Sequence, residues 1–97
     1  MKTYYRARHI LLEDQEDALE VLAMLKAKGD KHTFGELAQE YSECESASKG
    51  GNLGRFASGT MVAEFEKALY QLKEGEISTP VASKFGYHII QRLPLNS

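Results

Sequence analysis

The sequence holds one cysteine, Cys44, which excludes an internal disulfide and fits a reducing compartment. It also lacks a strong excess of either charge: 12 Lys and Arg stand against 14 Asp and Glu, for a net charge of −2. Neutralising a phosphate backbone takes a clustered basic face, and none is visible, so nucleic acid is not the expected partner. Apolar runs stop after a few residues, far short of the ~20 needed to cross a bilayer. Met1 to Leu12 carries neither an apolar signal core nor a small-residue cleavage site. Together these absences predict a cytoplasmic chain with no membrane partner. Internal repeats and low-complexity segments are missing too, and the only prolines, Pro80 and Pro94, lie near the C-terminal end.

What is present is the balance of a soluble globular protein, with 42% hydrophobic and 27% charged residues. The 97 residues suffice for one domain, 1–97, that buries roughly two thirds of its unfolded surface without covalent staples.

Residues Thr3 to Leu12 alternate as a strand, with Tyr5, Ala7, His9 and Leu11 on one face and Tyr4, Arg6, Arg8, Ile10 and Leu12 on the other. Apolar residues on both faces from Ile10 to Leu12 predict a central strand. His9, in its middle, suits a hydrogen-bonded core histidine as well as a catalytic one. The acidic run Glu13 to Asp17 then opens a helix with Asp14 as its N-cap. Ala18, Val21, Leu22 and Leu25 form its apolar stripe, and Lys26, Lys28 and Gly29 close it. After a turn from Gly29 to His32, with His32 a solvated surface residue, Thr33 and Glu36 stand at capping-box spacing. Phe34, Leu37, Ala38 and Tyr41 make the stripe of this second helix.

Tyr41 to Lys49 is polar and rich in small residues, which predicts an exposed loop. Cys44 lies in it between Glu43 and Glu45, whose charges oppose a thiolate nucleophile. From Gly50 to Phe65 a glycine-rich turn leads through a short extended piece into a third helix. Leu53, Met61 and Phe65 converge there, with Met61 and Phe65 on one helix face. The group is either ordinary core packing or an apolar slot about one small ring wide. Phe65, Ala68, Leu69 and Leu72 continue the helix toward Lys73 to Gly75. Ile77 to Ser83 reads as an edge strand interrupted at Pro80, which cannot donate a ladder hydrogen bond. A turn from Ser83 to Gly86 leads to a last strand, Tyr87 to Leu93, ended by Pro94. It carries His88, Ile90 and Arg92 on one face and Tyr87, Ile89, Gln91 and Leu93 on the other. The sum is an α+β domain with helices covering an antiparallel sheet.

Five blocks, ARHILL, FGELAQEYSEC, GGNLGRFASGTMVAEFEKALYQL, GEISTPV and FGYHII, follow one another over almost the whole chain. In that order they resemble the signature blocks of the parvulins, a family of small peptidyl-prolyl cis/trans isomerases. The resemblance implies an FKBP-like superfold, a four-stranded antiparallel sheet covered by three to four helices, with the first and last strands at its centre. It would set His9 and His88 side by side beneath the pocket. Residue by residue, it implies a proline pocket of Leu53, Met61 and Phe65. It also implies a polar network of His9, Cys44, Ser83 and His88 at the reacting bond, with Tyr87 packing near the site. No cofactor and no metal are implied.

The partners implied are peptides containing Xaa-Pro bonds and unfolded or nascent proteins, bound by a monomer. The branch of the family that requires a phosphorylated residue before proline carries a basic loop after the first strand. Here Glu13, Asp14, Gln15, Glu16 and Asp17 occupy that place and would repel a phosphate, so unphosphorylated substrates are expected. Lys49 and Arg55, near the pocket stretch, are solvated cations on this reading. Two alternatives stand beside it: a non-catalytic chaperone holding proline-bearing or unfolded segments in the same groove, and a metal site of Cys44, His9 and His88.

Overall fold

The computed structural model describes residues 3–27 and 33–95. The expected helix stop at Lys28 and Gly29 and the turn with His32 lie outside the described residues. The elements run β1 (Tyr4–Leu12), α1 (Gln15–Lys26), α2 (Phe34–Tyr41), a short 3-10 helix (Glu45–Lys49), β2 (Asn52–Ala57), α3 (Ala63–Tyr70), β3 (Val81–Ser83) and β4 (Gly86–Leu93). The four strands form one antiparallel sheet in the order β2-β1-β4-β3, so the first and last strands are its centre. Both expectations for the fold, α+β class and central β1 and β4, are met.

The helix starts are written in the side chains. Asp14 accepts the Asp17 N–H at 2.9 Å, and Thr33 and Glu36 exchange both capping-box bonds, at 3.1 and 3.2 Å. Each such cap is worth about 1 kcal/mol. Strand alternation then sorts the core into two layers. Ile10, Leu12 and Ile89 pack under α1 and α2 with Val21, Leu22, Phe34 and Leu37, whereas Ala7, Phe56 and Ile90 pack under α3 with Phe65 and Leu69. Large side chains fully buried on both faces, among them Ile10, Ile89 and Ile90, contribute roughly 1.5–3 kcal/mol each.

Three local expectations are corrected. Tyr41 ends the α2 stripe but is 38% exposed, since the helix stops there and its buried face ends at Ala38. The segment after Cys44 is a 3-10 helix rather than an open loop, closed at Gly50 in the left-handed conformation. Met61 does not share the helix with Phe65: α3 begins at Ala63 after an N-cap, Val62, that has no side-chain bond to offer, and Met61 stands in the loop before it. Pro80 acts as expected, with Ile77 making only a lone bridge to Gln91 and the strand resuming at Val81.

Gly51 has φ +82, and its carbonyl accepts the His9 N–H at 3.0 Å. A Cβ there would stand 2.3 Å from the His9 carbonyl oxygen, so only glycine lets the β2 entry lie against the middle of β1.

Candidate active site

His9 pairs with Ile90 across the central ladder and His88 with Leu11, which makes the two histidines diagonal neighbours on one face. Their rings stack at 16°, 5.2 Å between centroids, with Nδ1 to Nδ1 at 3.0 Å. Phe65, from α3, makes a T-shaped contact with both, 5.6 Å between centroids and at 80° and 84°. His88 Nε2 meets Ser83 Oγ at 2.6 Å, and the same oxygen accepts the Phe85 N–H at 3.1 Å. The tight β3–β4 turn therefore holds the far end of the histidine pair.

Burial removes water from both imidazoles, so neither carries charge at neutral pH. Desolvation first, then the proximity of His88, lower His9 to about 4. Desolvation likewise lowers His88, opposed by the Glu64 carboxylate. Between two neutral rings, one Nδ1 must donate and the other accept. His9 Nε2 is buried without a protein partner. A buried bare lone pair is less costly than a buried unpaired N–H. The hydrogen-bond pattern thus assigns the Nδ1 proton to His9 and the Nε2 proton to His88, which donates to Ser83 Oγ and leaves the Ser83 hydroxyl proton free for another acceptor.

Beside the rings lies an apolar cavity of about 230 Å³. Sequence reasoning named six of the residues that line it: His9, Cys44, Leu53, Met61, Phe65 and His88. Ser83 stands one hydrogen bond behind the wall. Leu11, Val62 and Phe85 also line it and were missed. Leu11 was legible as the cross-strand partner of His88, and Phe85 as a large aromatic in a tight turn, where it is 58% exposed. Tyr87 is corrected: alternation sends it to the face opposite His88, where it packs against the core beneath α1 and α2. Arg55 lies over the Tyr4 ring at 4.4 Å, and Lys49 lines a separate, polar depression next to Leu53.

Leu53 reaches the cavity through an irregularity. The pairs Arg6 with Arg55 and Arg8 with Asn52 set two steps of β1 against three of β2. Phe56 and Leu53, three apart, would face opposite ways on a regular strand. The bulge, with Gly54 at φ +71 and its N–H held by Asn52 Oδ1 at 2.7 Å, turns both toward α3.

The cavity is smaller than the ~300–1,000 Å³ typical of pockets for drug-sized ligands, and suits a single small ring in an uncharged setting. Among the described residues no group of three or more His, Cys, Asp or Glu is placed to hold a metal ion, so Cys44, His9 and His88 do not form a three-ligand site. Among them, too, no helix is long and apolar enough to cross a membrane.

Comparison with known proteins agrees with this geometry. Residues 9–93 match the family model described as the PPIC-type PPIASE domain. The chain is 52% identical over 90 residues to the foldase protein PrsA of Oceanobacillus iheyensis, covering 92% of this chain and 29% of that protein. To the foldase protein PrsA of Bacillus subtilis it is 52% identical over 93 residues, covering 95% and 31%. The crystal structure of PrsA from Bacillus subtilis superposes with a TM-score of 0.86 at 50% identity, over 94% of this chain and 35% of that one. The solution structure of NmPin, the parvuline of Nitrosopumilus maritimus, superposes with a TM-score of 0.81 at 44% identity, over 94% and 96%. The chain thus spans about a third of the length of the curated relatives named here.

Proposed function

Because the chain belongs to the family of PPIC-type peptidyl-prolyl isomerase domains, we propose that it accelerates cis/trans rotation about Xaa-Pro bonds of unphosphorylated segments, so assisting protein folding. The observation that carries this reading is the one-ring apolar slot backed by two neutral histidines. Rotation passes through a twisted state that has lost amide resonance, over a barrier of about 18–20 kcal/mol, and no bond is made or broken. Leu53, Met61 and Phe65 grip the proline ring while the preceding residue turns. A dry, uncharged wall favours the less dipolar twisted amide over the planar one, and each ~1.4 kcal/mol removed from the barrier gives a tenfold rate. Ser83, behind the wall, fixes the His88 ring through its hydroxyl, and the bond between His9 and His88 fixes the other ring, so the pair keeps one orientation against the turning amide. Cys44 contributes a polarizable wall, since isomerisation needs no acyl transfer.

Selection against phosphate rests on the acidic stretch after Leu12, where Glu13 and Asp14 of the connection and Gln15, Glu16 and Asp17 of the first turn of α1 are all exposed. Proline-bearing segments of unfolded or nascent chains are the substrates on this reading. Short or irregular sheet edges, three residues in β3 and a bulged β2, support monomeric action, and the single Cys44 fits cytoplasmic residence. Sedimentation and a compartment-specific reporter fusion test these two points.

Exchange NMR on an Ala-Leu-Pro-type peptide, with catalytic amounts of protein, tests the activity. The expected result is faster exchange for this peptide than for a phosphoserine-proline counterpart. If the protein binds the peptide without speeding exchange, the isomerase reading fails and the chaperone reading replaces it.

A further inference from the structure

Glu66 is a buried residue, 6% exposed, whose carboxylate bonds to the loop that precedes its own helix. Its Oε1 and Oε2 accept the Gly59 N–H at 2.8 and 2.9 Å, and Oε2 accepts the Met61 N–H at 2.8 Å. The Tyr70 hydroxyl, one helical turn on, donates to Oε1 at 2.5 Å. Burial raises the pKa of this carboxylate, but the bonds from Tyr70 and from the Gly59, Met61 and Thr60 backbone bring it below the usual range. No other side-chain cap is present at the α3 start, since Val62 offers none.

We infer that Glu66 is a positioning residue of the proline slot, whose carboxylate ties the Gly59 to Met61 backbone to α3 and so fixes Met61 as a wall of the cavity. This deepens the isomerase reading and rests on it. Ser58, Gly59 and Thr60 are exposed, so water replaces the carboxylate for the freed N–H groups. Loss of Glu66 therefore loosens the loop without unfolding the sheet, and it acts on the slot only through Met61.

A double-mutant cycle with Met61→Ala tests this. Glu66→Ala is expected to lower kcat/KM for the Xaa-Pro peptide about fivefold, chiefly through KM, and to add nothing in the Met61→Ala background. Amide exchange at Gly59 and Met61 should accelerate while β1 and β4 amides stay protected. Glu66→Gln, which keeps an oxygen for Met61 and turns its amide nitrogen to the Tyr70 oxygen, should restore most of the affinity. Glu66→Asp, which keeps the charge but withdraws it from the loop, should not, and it carries the cycle if Glu66→Ala does not fold. Additive losses, unchanged Met61 amide exchange, or Asp outperforming Gln would each overturn the assignment. If the wild-type protein does not speed exchange, only the isomerase reading falls; amide exchange and peptide affinity still decide the role of Glu66.

Discussion

Replacing Phe65 by leucine separates the slot from the fold that carries it. The residue is 2% exposed and its ring stands T-shaped to His9 and His88 at 5.6 Å. Truncation to alanine would cost about 3–5 kcal/mol, a large share of the ~5–15 kcal/mol that holds a domain of this size together. Leucine keeps the volume closer and should cost under ~1.5 kcal/mol of stability. What it removes is the flat aromatic floor on which a proline ring would rest, a contact taken to be of the order of an aromatic pair, roughly 0.5–1.5 kcal/mol. If that contact is made in the transition state, kcat/KM falls roughly two- to twelvefold. Uncatalysed exchange takes tens of seconds or more at 25 °C, so exchange NMR reads such a difference against a flat baseline. Thermal unfolding of the same samples reports stability. A folded Phe65→Leu protein with undiminished kcat/KM would refute the view that Phe65 is the floor of the catalytic slot.

Cys44→Ser and Cys44→Asp should both retain substantial activity in the same assay; loss in both, with folding intact, would restore the thiol to a chemical role. His9 has a folded pKa of about 4 against an ordinary 6.5, so the unfolded chain takes up its proton first on acidification. The stability it contributes is full above pH 6.5 and is lost as the pH falls toward 4, by about 3 kcal/mol, with His88 acting in the same direction. Urea midpoints should drop across that window and drop less in His9→Leu. Gly54→Val forces a β-branched residue into the left-handed region at a cost of about 1–3 kcal/mol. It should also lower peptide affinity more than its loss of stability explains, by turning Leu53 from the slot; equal peptide titrations for the two proteins would argue against the bulge as the device that aims Leu53.

Most of the fold was legible because its signals are local. Asp14, Thr33 and Glu36 announce helix starts through bonds three residues long, and the alternation of β1 and β4 assigns each residue its face whatever the rest of the chain does. The same alternation shows His88 and Tyr87 on opposite faces, so placing Tyr87 near the site followed the resemblance where the pattern of the strand said otherwise. What sequence reasoning could not supply depends on distant partners. The spacing of Met61 from Phe65 predicts a shared helix, but the helix begins only at Ala63, and the Met61 N–H is taken by the Glu66 carboxylate. Phe85 carries a weaker signal, a large exposed aromatic in a tight turn, with no periodicity to say which face it serves. The closing of 45–49 into a 3-10 helix depends on contacts beyond its own polar composition.

The site as a whole depends on register more than on any one side chain. His9 and His88 meet because β1 and β4 pair without irregularity from Arg6 to Leu12, holding two residues 79 positions apart in a diagonal that a slip of one residue would break. Such a slip would turn one histidine toward α1 and α2, where the core is aliphatic and aromatic and offers no equivalent partner. Leu53 requires the opposite condition, a deliberate irregularity between β1 and β2. The central ladder is bordered on one side by a bulged strand and on the other by a three-residue strand, so regular pairing is concentrated where the imidazoles must not move. The edges, Met61 before α3 and Phe85 in the last turn, belong to segments with fewer ladder bonds. On the isomerase reading, histidines set on the regular ladder behind a Phe65 floor, with walls on less constrained loops, would let the slot hold one side of a peptide bond while the other side turns.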